Sequence, residues 1–269
     1  VSPIDLIKSL DHRTAYERLA IIIECLKKLD VNFIAHKYAT GTNLIVDIGK
    51  PTLKIGISSH FDVAKGAGGA NDNSTAIAVC LDIIRKFQVL NDLSIGLRIF
   101  FFDEEENGLF GSTAYVKGRG TKDMIGLINL ELVGIGNKVA LWPVHAQHSG
   151  PLLKAFEVVA RENKIVSQRF DQIITNTADH VPFRKAGLFD SFTVTCVSET
   201  DLEVALRYYK ALELGAGKQT LFEILSKAPI FEHYHQSTDT FDKINVDSIE
   251  MISRLVWETI LKMSNVTSR

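Results

Sequence analysis

Apolar residues near the N-terminus recur at helical spacing. Ile4, Leu6, Ile7, Leu10, Tyr16, Leu19, Ile22, Ile23 and Leu26 fall mostly three or four positions apart, with one interruption around Asp11 to Arg13, and predict a helical layer from Ser2 to about Leu29. The pattern then shortens. Apolar segments at Asn32 to His36, Asn43 to Ile48 and Leu53 to Ser58 are separated by Gly41-Thr42 and by Gly49-Lys50-Pro51, turn residues that predict three strands. A helical period returns from Asn73 to Phe87 through Ile77, Val79, Leu81 and Ile84, and Ile95 to Phe102 is a near-continuous apolar run of the kind buried on both sheet faces.

Met124 to Leu132, Val139 to Trp142 and Ser191 to Val197 follow as strands, Pro151 to Asn163 as a helix opening on proline, and Val246 to Met263 as a closing helix. Between Ser198 and Phe231, helical fragments at Leu202 to Leu212 and Thr220 to Ser226 flank Gly215-Ala216-Gly217, and form either a wall or lid over a site or an ordinary covering pair. Strands and helices alternate with no linker and no internal repeat. The expected class is α/β, a three-layer α/β/α sandwich around a mostly parallel or mixed central sheet, in one domain spanning residues 1–269.

Composition narrows the partners. The 269 residues are 46% hydrophobic, enough to fill one large core. Thirty basic against thirty-two acidic residues give a net charge of -2, so the basic excess of a nucleic-acid binder is missing. No apolar run approaches the roughly 18 to 20 residues that span a bilayer, and no membrane partner is expected. The N-terminal stretch lacks a signal-peptide pattern, although a chain beginning at Val1 is compatible with a leader already removed; a cytoplasmic address is favoured over a secreted one. Cys25, Cys80 and Cys196 are odd in number and embedded in apolar stretches, which points to buried thiols and not to disulfides. Asn73-Ser74-Thr75 matches a glycosylation acceptor, but it adjoins a candidate ligand, where a glycan would block the site.

Acidic and imidazole side chains gather in five segments at or near predicted strand ends, where open α/β sheets bind ligands. His60-Phe61-Asp62 pairs an imidazole with a carboxylate able to hold its other ring proton, while a surface loop pair is the ordinary alternative. Gly66 to Asn73 is glycine-rich but meets neither nucleotide fingerprint, and its Asp72 is either a helix cap or a metal-facing carboxylate. Asp103-Glu104-Glu105-Glu106 follows a core strand and is not part of a charged tail. Glu131 is an acid inside an apolar strand, costly unless paired or ligating. His233-Tyr234-His235 leads to Asp239-Thr240.

In this order and spacing, from about His60 to Ile244, the segments resemble the zinc aminopeptidases of the M28 metallopeptidase family. Asp179-His180-Val181-Pro182-Phe183 with Ala186-Gly187 looks like a further landmark of that family on the substrate side. The resemblance implies a phosphorylase/hydrolase-like zinc exopeptidase fold and two zinc ions per chain. It assigns His60 and Glu131 to one ion, Glu106 and His235 to the other, and Asp72 as the bridge. His235 is preferred to His233 because it stands four residues before Asp239-Thr240. Glu105 is then the general base and Asp62 the partner of His60. Glu131 departs from the aspartate common in the family, and reaches one methylene further. The implied substrate is a peptide with a free N-terminus. The competing assignments are a glutaminyl cyclase using a single zinc, a carboxypeptidase, and a non-catalytic interaction domain on the same scaffold.

Overall fold

Two N-terminal helices are each capped by a hydroxyl side chain. Ser2 accepts the Asp5 N–H at the start of α1 (Pro3–Leu10), and Thr14 forms a reciprocal capping box with Glu17 at the start of α2 (Ala15–Lys28), which explains the break in period at Asp11 to Arg13. The computed structural model describes residues 2–49, 53–90, 93–142, 150–170 and 178–267, so the turn at Lys50-Pro51 lies outside the described residues. Next come β1 (Ile34–Lys37), β2 (Thr42–Ile48), β3 (Lys54–His60), α3 (Thr75–Leu90), β4 (Gly96–Phe102), α4 (Phe110–Arg119), β5 (Met124–Leu130) and β6 (Lys138–Trp142). The remainder is α5 (Pro151–Glu162), β7 (Ser167–Arg169), α6 (His180–Lys185), β8 (Ser191–Val197), α7 (Glu199–Glu213), α8 (Lys218–Leu225) and α9 (Val246–Thr267).

The strands form one mixed eight-stranded sheet in the order β1-β2-β4-β3-β5-β8-β6-β7. Its middle, β4-β3-β5-β8, is parallel throughout, with β2 and β6 antiparallel to its edges. Register places His60 beside Phe102 and Ser58 beside Asn129, so β3, β4 and β5 end along one rim. One face of the sheet carries the larger core, where Ile55, Ile57, Ile99 and Ile128 meet apolar residues of α3, α5 and α9. The opposite face holds Phe100, Phe102, Tyr115 and Phe183 beneath α4 and α6, and a third cluster, including Leu132, Val197 and Val204, lies under α7. This is the expected α/β/α layering.

Some elements differ from the periodicity in informative ways. The fifth strand stops at Leu130, so Glu131 is the first residue beyond it; Leu132 has a left-handed φ of 54°, which turns the chain out of the sheet. His60 is the last residue of β3 and not part of a following loop. Helix α4 has a weak apolar period because Gly111 occupies its first turn, yet a Cβ there would collide with the Asp103 carbonyl, so the acid loop and the helix require glycine. Neither β7 nor α6 is visible as apolar periodicity: β7 is three residues long and α6 only six. Cys80 and Cys196 are buried, whereas Cys25 is only half-buried at the α2 surface. Among the described residues no helix is long and apolar enough to cross a membrane.

Candidate metal centre

All five proposed ligands meet at the rim where the parallel strands end. His60 Nε2 lies 3.2 Å from Asp72 Oδ1 and 3.2 Å from Glu131 Oε2. On the other side, His235 Nε2 lies 3.4 Å from Asp72 Oδ2 and 3.0 Å from Glu106 Oε2. Asp72 thus divides its two oxygens between two half-sites. Donor atoms of His60, Asp72 and Glu106 all fall within 4.8 Å of one another. A tetrahedral zinc ion with bonds of about 2.0 to 2.2 Å holds its ligand atoms about 3.3 Å apart, close to these separations. Imidazole with carboxylate suits zinc, so the residues present fit the metal. The half-sites differ in access: His60 is 1% exposed at its side chain and His235 39%. His233 points elsewhere, its Nδ1 lying 3.0 Å from Thr238 Oγ1.

Each donor is held by neighbours. Asp62 Oδ1 sits 3.4 Å from His60 Nδ1 and accepts the Glu105 N–H, while its Oδ2 accepts the Glu106 N–H. One carboxylate therefore orients the imidazole and also pins the acid loop. That pinning divides the four adjacent acids: Glu105 lines the cleft with His60 and Glu131, and Glu106 faces His235, whereas Asp103 accepts the Thr42 N–H and Glu104 the Thr40 hydroxyl at the β1–β2 turn. Glu131 receives amide donors on both oxygens, Asn73 Nδ2 at 2.7 Å and Asn129 Nδ2 at 3.0 Å. Asn73 is fully buried in this role, so its amide is not available as a glycan acceptor. A cis peptide joins Asp72 to Asn73.

The cluster carries more negative charge than its own side chains balance. Burial disfavours a charged His60, but Glu131, Asp62 and Asp72 outweigh burial and hold the imidazole well above its ordinary range. Burial likewise pushes the Glu131 carboxyl up, against His60 and Asn129. Glu105 is raised strongly, first by burial and then by the charges of Glu131, Asp179 and Glu106, with His60 opposing. His235 is raised by its contact with Glu106. Protons are thus retained by histidines and acids alike, the signature of a site whose charge a cation would complete. Burial and the same acids also raise Tyr234, whose ring stacks on His235 at 3.8 Å, so its phenol remains a donor.

Three further contributors take their roles only in the folded chain. Asp239, visible in the sequence only as a landmark after His235, accepts the N–H groups of Asn71 and Asp72 at 2.8 and 3.0 Å, and so fixes the backbone that carries the Asp72 carboxylate. Arg18 of α2 is fully buried and donates to the carbonyls of Gly68 and Gly69. Its signal was present: Arg18, Ile22 and Leu26 share the buried stripe of α2, where a cation is out of place. Asp179 is fully buried at the start of α6, and burial lifts its carboxyl to about 8 against the pull of His60 and Ser112. Phe183 of α6 packs in the core, while Phe231 and Tyr234 line the cleft.

An eight-stranded α/β/α fold with imidazoles and carboxylates converging at the carboxyl ends of its parallel strands defines an α/β protein with a candidate metal centre on its sheet rim. More narrowly, residues 43–260 match the model of peptidase family M28, and the chain belongs to that family. It is similar to the vacuolar membrane protease of Lachancea thermotolerans, 27% identical over 217 residues that cover 78% of this chain and 21% of that protein. The chain thus spans about a fifth of the length of that relative. Among solved structures, a zinc aminopeptidase from Bacillus subtilis superposes with a TM-score of 0.64 at 19% identity, over 83% of this chain and 50% of that one. A glutaminyl cyclase from Porphyromonas gingivalis superposes with a TM-score of 0.70 at 17% identity, over 97% of both chains. At such identities these likenesses establish the fold alone.

Proposed function

We propose that the chain is a zinc-dependent aminopeptidase with two ions per chain, acting as one catalytic unit over residues 1–269. The division of Asp72 between two half-sites, one with His60 and Glu131 and one with His235 and Glu106, is the observation that carries this reading. With Asp72 shared, each half-site offers three protein donors and leaves room for a water, as catalytic zinc requires. When bound there, zinc supplies a Lewis acid for the scissile carbonyl and lowers the pKa of water towards about 7.

The protein does the remaining work. Glu105 lines the same cleft as His60, Asp72 and Glu131, and its raised basicity equips it to take a proton from the attacking water and deliver it to the departing amine. Asp62 fixes the loop that presents Glu105 and also the ring of His60. Tyr234, a protonated phenol lining that cleft, is placed to donate to the oxyanion that develops on the carbonyl. Beside the cluster lies a cavity of about 110 Å³, room for one side chain and not for an extended strand, which favours an exopeptidase.

Glutaminyl cyclase is the competing assignment, because the same fold also serves a protein of that activity. The assay that separates them uses zinc-loaded protein with aminoacyl arylamides, free or N-acetylated, and a peptide beginning with glutamine. Release from the free amines alone supports the aminopeptidase. Pyroglutamate formation without release of any arylamide would replace it with the cyclase.

A further inference from the structure

We infer that the cavity beside the cluster selects substrates whose first residue carries a large, uncharged apolar side chain, of leucine to phenylalanine size, and that helix α7 sets this preference. The inference rests on the aminopeptidase reading, and gives residues 199–231 a role as the wall of a specificity pocket.

The cavity runs from His60 and Glu131 to the underside of α7, over a floor of Ala140 and Val197 and under a roof that includes Leu202 and Ala205. Trp142 and Phe170 close its sides. Its volume of about 110 Å³ is slightly below that of the roughly 150 Å³ apolar cavity that stays dry and takes up benzene. A phenyl or isobutyl group therefore fills it with little slack, and a methyl group leaves most of it empty.

Charge decides what is excluded. Among the described lining residues none is lysine or arginine, so none of them offers a counter-ion to an acidic side chain. Away from the cluster, Asp201 is the one carboxylate among the described lining residues, and it is already saturated. Its Oδ2 accepts the Ser198 N–H and hydroxyl at 2.7 and 2.6 Å, and its Oδ1 accepts the Ile230 N–H at 2.9 Å. Asp201 is thus the staple joining the two ends of the α7–α8 excursion and not a free partner for a basic substrate. Burying an unpaired charge in such a pocket is prohibitive.

The test is a panel of alanyl, leucyl, phenylalanyl, lysyl and glutamyl arylamides with zinc-loaded protein. One methylene in an apolar pocket is worth roughly 10- to 200-fold. Leucyl and phenylalanyl substrates should therefore exceed alanyl by at least about 100-fold in kcat/KM, with lysyl and glutamyl at or below alanyl. Ala205 is half-buried on α7, and Ala205→Leu should lower the phenylalanyl-to-alanyl ratio by about 10-fold or more. Comparable rates across the panel would overturn the pocket and leave the aminopeptidase standing. Absence of any hydrolysis would instead overturn the aminopeptidase reading. In that event titration calorimetry with the four amino-acid amides, alaninamide, leucinamide, phenylalaninamide and lysinamide, decides the pocket. Tighter binding of leucinamide and phenylalaninamide by about 10-fold upholds it, and equal binding of the four refutes it.

Discussion

Replacing Asp239 by asparagine keeps the shape of the side chain and removes one acceptor. In the native protein its two oxygens accept the Asn71 and Asp72 N–H groups at 2.8 and 3.0 Å, in a pocket where Asp239 is 1% exposed. The asparagine oxygen can keep one of these bonds, while its NH₂ group faces the other N–H donor to donor. A hydrogen bond to a charged group contributes about 1.5 to 3 kcal/mol, and the orphaned N–H adds a desolvation cost of about 1 to 3 kcal/mol. Burial offsets part of this, since it already raises the Asp239 carboxyl to about 6. A net loss of about 2 to 3 kcal/mol is expected in the metal-free protein, read from urea unfolding at neutral pH. Because both bonds hold the backbone leading into Asp72, zinc affinity should fall as well, by about 10-fold or more in a chelator competition. Unchanged urea stability together with unchanged zinc affinity would refute the claim that Asp239 sets the bridging carboxylate.

Other outcomes follow from the same geometry. Glu105→Gln should bind zinc as the wild type does and lose about 100- to 10,000-fold in kcat; hydrolysis at the wild-type rate would remove Glu105 from the role of base. His180 is fully buried, and burial depresses its imidazole to about 3, so as pH falls below about 6.5 the unfolded chain gains a proton that the folded chain refuses. This group therefore withdraws about 2 kcal/mol of stability between pH 7 and 5, and urea midpoints of metal-free His180→Asn should show an acid limb shallower by that amount; parallel limbs would contradict it. Arg18→Met removes the guanidinium donor from the Gly68 and Gly69 carbonyls, which keep the His12 N–H and the Ser74 N–H and hydroxyl, and should destabilise by about 1 to 3 kcal/mol in thermal unfolding, with Arg18→Lys intermediate. Dialysis against a weak chelator should strip zinc in two steps, the more exposed His235 side first; a single step would show that the two half-sites are equivalent.

Period and local chemistry carry far in this chain. The apolar run ending in Phe102 and the amphipathic stretches around it specify a helix-covered sheet, because burial on one face or two leaves a trace at fixed spacing. The donor residues are legible for a related reason. His60, Asp72, Glu105, Glu106, Glu131 and His235 each stand in a short contiguous motif, and strand ends put such motifs on one rim. What supports them comes from far along the chain and has no local pattern. Asp239 meets the Asp72 peptide from 167 residues away, and Arg18 reaches Gly69 across 51. The specificity cavity is of this kind too, since its floor, sides and roof come from β6, the residue after β7, β8 and α7, and no one stretch of sequence contains them all. Side chains at helical or strand spacing announce that they are buried, but which of them face a void and which face one another depends on how the layers stack. Only the tertiary structure decides that, because packing complementarity is a property of surfaces brought together and not of the chain that supplies them.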